Sequence, residues 1–153
     1  MSSLAQDATG NDLTYRVIGA AMAVHNRLGP GYREEVYERA LAAELGERGI
    51  DARRQFAVTV EYQSEPVAEF YLDLFVEGVL VVEVKAFPHL LTDDELGQVI
   101  GYLKAAEAPV GLLFNFGRRR LEWRRVFPGR GGEAPRRTGR DDVRKADRLD
   151  RVP

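Results

Sequence analysis

From Leu13 to about Leu28 the apolar positions Val17, Ile18, Ala21, Met22 and Val24 recur at helical spacing. Gly29-Pro30-Gly31 must break that helix. Helical spacing resumes from about Arg33 to Arg48, with Val36, Leu41 and Leu45 on one stripe and Gly49 as the stop. The pattern then becomes alternating. Phe56, Val58, Val60 and Tyr62 predict a strand over 54–62. A turn at Ser64-Glu65-Pro66 leads into a strand from about Val67 to Val76, and a third runs from about Val79 to Ala86, stopped by Pro88. Thr92 and Glu95 have the spacing of a capping box, which predicts a helix to about Glu107. Val110–Phe116 and Leu121–Phe127 read as two further strands. No internal repeat is visible.

The predicted order is helix, helix, three strands, helix, strand, strand. A strand–helix–strand crossover after a meander implies an α/β fold with a mixed central sheet flanked by helices. Val110-Gly111-Leu112-Leu113-Phe114 is apolar on both faces, so its strand should be central in the sheet. A three-residue loop, Val76-Glu77-Gly78, would pair Phe75 with Val79 and Asp73 with Val81. In that register Asp73, Glu83 and Lys85 share one face, and Asp73 and Glu83 are diagonal neighbours. Leu72, Leu74, Val82 and Val84 would form core on the other face.

With 153 residues, 44% hydrophobic and 30% charged, the chain suits one folded domain. The absence of cysteine excludes disulfides and thiolate zinc sites and suits a cytoplasmic location. No apolar run approaches the ~20 residues of a membrane span. The charge is uneven. Residues 1–127 carry 14 Lys and Arg against 19 Asp and Glu, and residues 128–153 carry 8 against 5. The expected organisation is a flexible start (1–11), a folded domain (12–127) and a basic, flexible tail (128–153).

The chemistry gathers in residues 71–85, two apolar strands interrupted by Asp73, Glu83 and Lys85. A buried ion pair would explain each charge singly. Three on one face of otherwise apolar strands point to a site, because a buried charge without a partner is costly. Two carboxylates suit Mg²⁺ or Mn²⁺, which take oxygen ligands and keep waters. A lysine beside them can orient the attacking water or stabilise charge on a phosphate. That combination is the chemistry of metal-assisted phosphodiester cleavage.

Asp73 followed by Glu83-Val84-Lys85 resembles the PD-(D/E)xK nuclease motif. The wider set resembles the bacterial GxxExxR proteins of that superfamily. It comprises Ile18-Gly19-Ala20 and His25, Leu28 to Tyr37, Gln98 to Tyr102, and Gly111 to Gly117. The likeness spans about residues 13–127. It implies a restriction-endonuclease-like core and a nuclease acting on nucleic acid, DNA rather than RNA. Asp73 and Glu83 would be the metal ligands, with Lys85 catalytic. Glu34, otherwise an ordinary first-turn acid, would be a further metal-contacting acid. Glu35 and Glu38 read as solvated. Tyr37 stands where the family's name has Arg and receives no role. Gln98 and Tyr102 share a helix face and resemble the Gln-x-x-x-Tyr pair of RecB-like nucleases. There the glutamine helps order the active site and the tyrosine lies near the DNA.

Other candidates are weaker. His25, on the Ile18–Met22 stripe, reads as a packed histidine, and His89 as a loop residue. Arg118, Arg119 and Arg120 could touch phosphates, and the tail arginines could add counterion-release affinity. The acidic body lacks a duplex-binding stripe, which leaves two rival functions. One is a catalytically inactive module of the same fold that binds nucleic acid or a partner; the other is a hydrolase of small phosphoesters. A homodimer would supply contact area that the sparse basic residues do not.

Overall fold

Eight elements occur in the predicted order in the computed structural model, which describes residues 11–129. They are α1 (Asn11–Leu28), α2 (Glu34–Glu47), β1 (Ala52–Tyr62), β2 (Glu65–Val76), β3 (Leu80–Lys85), α3 (Asp93–Ala106), β4 (Val110–Asn115) and β5 (Glu122–Val126). The expectations for the start and the tail fall outside the described residues, except that Asn11 already belongs to α1.

The five strands form one mixed sheet in the order β1-β2-β3-β4-β5. Only β3 and β4 run parallel, joined by the α3 crossover; every other neighbouring pair is antiparallel. β4 is buried at every position and lies inside the sheet, as its apolar run requires, although β3 is the middle strand. α1 and α2 cover one face, where Val17, Ala21, Leu41 and Leu45 meet Val82, Val84 and Phe114. α3 covers the other through Val99 and Leu103, against Val81 and Leu113. The Thr92–Glu95 capping box is present and starts α3.

The β2–β3 register differs from the sequence expectation by two residues. Val76 pairs with Leu80, Phe75 with Val81 and Leu74 with Val82, so the loop is Glu77-Gly78-Val79. Glu77 and Gly78 both take positive φ, 53° and 69°, and the Val79 N–H donates to the Val76 carbonyl. Two consecutive left-handed residues tighten the turn and move the loop one residue along. A slip of two preserves which residues share a face. Asp73, Glu83 and Lys85 therefore stay together, with Asp73 facing Glu83 directly rather than diagonally.

The expected grouping of Leu72 with Leu74 fails. Leu74 and Val76 lie in the core under α1 and α2, whereas Leu72 lies in the core under α3. Side chains two apart normally share a face, so the hairpin is broken between them. The break is at Gln55 and Asp73. The β1–β2 pairs run to Arg54–Leu74 and resume at Phe56–Leu72, and Gln55 has φ 51°. Beyond the break, β2 residues 65–72 pair with β1 alone, since β3 pairs only with residues 74–76. The hairpin thus leaves the sheet as an arm with a free β2 edge, and Phe56, Val58 and Leu72 turn towards α3.

A buried polar network fixes the segment after β3. The Asn115 amide oxygen accepts from Phe87 N and Gly117 N, and its nitrogen donates to His89 O and Glu122 Oε1. The Glu122 carboxylate accepts from Leu91 N, 3.0 Å to each oxygen, and from Arg124. Such a network holds only if its members are satisfied. Gly117 permits the close approach, because a Cβ there would stand 2.6 Å from Phe87 N. Gly117→Ala should therefore destabilise the fold by about 1–3 kcal/mol in urea denaturation. An unchanged midpoint would show that the 87–117 contact is not held tightly.

Candidate functional site

Asp73 and Glu83 continue the β2–β3 ladder with side chains. Asp73 N–H donates to Glu83 Oε1 at 3.1 Å, and Val84 N–H donates to Asp73 Oδ2 at 2.8 Å. Each carboxylate takes a backbone donor of the opposite strand. The strands part here, and the two acids sit in the fork. Glu83 is 4% exposed. Burial, then the Asp73 charge, push its carboxyl up to about 8 against the opposing pull of Lys85. One lysine does not balance the acids around it.

A third acid joins from α2, and it is not the expected one. Glu38, read from sequence as solvated, is 5% exposed. Its carboxyl is raised by burial and by neighbouring Asp73, with which it shares a hydrogen bond, while Arg54 opposes the shift. Arg54 donates to Glu38 Oε2 at 2.8 Å and Gln55 Nε2 to Oε1 at 2.6 Å. The left-handed Gln55 thus braces the acid that meets Asp73. Helical spacing carried the signal: Glu38 stands three and seven residues before Leu41 and Leu45, on their stripe. Val36, expected on that stripe, is at the surface. Glu34 is exposed on the wall of a cleft of about 730 Å³ that opens onto Asp73.

Lys85 closes the group. Its Nζ donates to Gln98 Oε1 at 3.4 Å, a long bond that brings the predicted helix residue to the predicted strand residue. Tyr102, one turn on from Gln98, is half-buried with its ring 5.5 Å from that of Phe70 on the arm. Burial raises its hydroxyl pKa, and the Glu83 and Asp73 charges add to the shift. Asp73, Glu83, Lys85, Gln98 and Tyr102 are therefore brought to one place. Asn115 and Glu122 hold the segment that follows Lys85, and the sequence reading gave Glu122 no part.

Arg119 and Arg120 are exposed and Arg118 is half-exposed, in the segment after β4, where β3 and β4 end together. His25 is buried with Nε2 2.8 Å from Arg118 O, so it fastens that segment to α1 as a packed histidine would. His89 lies in a loop, its ring stacked on Phe87. Tyr37 stacks on Phe116 at 4.7 Å, and its hydroxyl donates to Gly29 O, which locks the α1–α2 turn.

Among the described residues no three acidic or histidine side chains already converge as a finished metal cage. Mg²⁺ does not need one, since one or two carboxylates with waters suffice. Three neighbouring acids, two with raised pKa values, form a donor set of the right charge and hardness, so the residues present fit a divalent cation. No helix among the described residues is long and apolar enough to cross a membrane.

A family model described as the PD-(D/E)XK nuclease superfamily matches residues 11–126. No curated protein matches the chain. Among solved structures, one titled "Crystal structure of SSO0001" is similar with a TM-score of 0.54 at 14% identity, over 72% of this chain. The chain spans 55% of that structure's length, and a likeness at this identity concerns the fold.

The raised carboxyls set a pH dependence. The folded state binds these protons more tightly than the unfolded chain. The stability they add is complete below about pH 4.5 and is lost as pH rises through the folded value, about 8 for Glu83. Without divalent metal, denaturation between pH 5 and 9 should show a loss on the order of 1–3 kcal/mol. Glu83→Gln should remove much of that loss. Parallel pH profiles for the two proteins would refute the shift.

Proposed function

The chain belongs to the PD-(D/E)XK nuclease superfamily, and on that premise we propose that it is a divalent-metal-dependent nuclease cleaving phosphodiester bonds. The observation that carries this reading is the meeting of Asp73, Glu83 and Glu38 at the break in β2, with Lys85 beside them. In this reading Asp73 and Glu83 hold Mg²⁺ or Mn²⁺, and Glu38 completes the acid set from α2. Glu34 stands further out, on the cleft wall. A bound divalent cation supplies an activated water and neutralises charge on the phosphate. Lys85 orients that water or stabilises the developing negative charge. Gln98 accepts from Lys85 and limits where its ammonium can go. Tyr102 borders the acids on the α3 side.

The tests separate metal binding from turnover. Lys85→Ala should lower Mg²⁺- or Mn²⁺-dependent cleavage of oligonucleotides by about 10²–10³-fold, with the melting curve preserved. Undiminished cleavage by the folded variant would remove the role given to Lys85. By calorimetry, Asp73→Ala should abolish Mn²⁺ binding and Glu38→Gln should weaken it. Glu38→Gln binding Mn²⁺ like wild type would exclude Glu38 from the metal set. Wild type that binds Mn²⁺ but cleaves neither DNA nor RNA would favour the binding-module reading, which the acidic body already suits.

A further inference from the structure

The cleft beside Asp73 runs between the start of α2 and the break in the β1–β2 hairpin. Its walls carry three arginines: Arg33 at the N-cap of α2, Arg39 within α2, and Arg54 from β1. Arg54 is committed to buried Glu38 at 2.8 Å. Among the described residues Arg39 is held by Glu35 one turn away, in a pair whose side chains are 62% and 56% exposed. An exposed pair of this kind contributes little, so a phosphate can displace Glu35 at small cost. Arg33 is exposed at the N-cap of α2, and its side chain makes no capping bond. It stands where the helix end itself favours an anion.

We propose that this cleft takes a single strand of nucleic acid, its backbone phosphates held by Arg33 and Arg39 and led to Asp73. The inference rests on the nuclease reading and names its substrate class. Pockets of about 300–1,000 Å³ enclose a drug-sized ligand. The cleft, about 730 Å³, has room for a nucleotide or two of one strand. Single-strand sites pair a cationic path with aromatic faces. Here the Phe70 ring, 39% exposed on Tyr102, supplies such a face on the far side of Asp73. The path also needs the cation. Three arginines face four carboxylates on the lining (Glu34, Glu35, Glu38 and Asp73), a net of −1 that one divalent ion turns to +1.

The test is fluorescence anisotropy of full-length protein with single-stranded DNA, single-stranded RNA and duplex DNA of one sequence, in Ca²⁺ and in EDTA. A single strand should bind more tightly than the duplex, and more tightly in Ca²⁺ than in EDTA. The DNA and RNA arms identify which strand is taken. Arg33→Ala/Arg39→Ala, both surface changes, should weaken single-strand binding about tenfold or more. The same change should reduce the salt slope by roughly 1.4, at about 0.7 per phosphate contact. A charge-matched control outside the cleft lining, Arg53→Ala/Lys104→Ala, should bind within about twofold of wild type. Duplex preference, equal losses in the two double variants, or no binding of any oligonucleotide would overturn the inference. Strand binding without cleavage would leave the cleft assignment standing and remove the nuclease reading. Cleavage unaffected by Arg33→Ala/Arg39→Ala would do the reverse.

Discussion

At Asp73 and Glu83 the β2–β3 ladder is carried on by carboxylates: each acid accepts a backbone N–H of the opposite strand. This exchange lets β2 leave β3 without stranding its donors, and a buried donor left unpaired is expensive. The acids are thus structural before they are chemical. The left-handed Gln55, the change of face between Leu72 and Leu74, the arm and its contact with α3 all follow from the same break. Irregularities of this kind re-aim side chains near sites. In this chain the break brings Asp73 to meet Glu38 from α2.

The same place concentrates negative charge. Glu38 and Glu83 are both raised, by burial first and by the Asp73 charge after it, while Arg54 and Lys85 offset only part of the shift. The polar network of Asn115 and Glu122 behaves differently, since its carboxylate has two strong partners, the Leu91 N–H and Arg124. Glu38 and Glu83 also have partners, Arg54, Gln55 and the Asp73 N–H, but the Asp73 charge stands beside both. That contrast separates an acid that holds structure from acids able to take up a cation.

Much of this was legible in the sequence, and the misses have local causes. Periodicity located all eight elements, because the apolar stripes and the Gly and Pro stops agree with the sheet they build. The shared face of Asp73, Glu83 and Lys85 survived a wrong register because a two-residue slip does not change parity. Leu72 was misplaced because alternation assumes an unbroken strand, and nothing in Arg54-Gln55-Phe56 announces a left-handed glutamine. Glu38 was misread because Glu34, Glu35 and Glu38 look alike as types. Only its place on the Leu41–Leu45 stripe set it apart. Glu122 was passed over because the backbone donor it holds, the Leu91 N–H, lies 31 residues away in the chain.

The arm leaves β2 residues 65–72 with an open edge, and an open edge is a template for aggregation. Pro66 removes one donor from it, and Glu65 and Glu69 bring like charges together if a second copy aligns. These residues are not members of the acid cluster, yet they keep the strand that carries Asp73 from being recruited into another chain's sheet. Variants made to alter the site are therefore best built with Pro66, Glu65 and Glu69 retained, because loss of solubility would otherwise masquerade as loss of function.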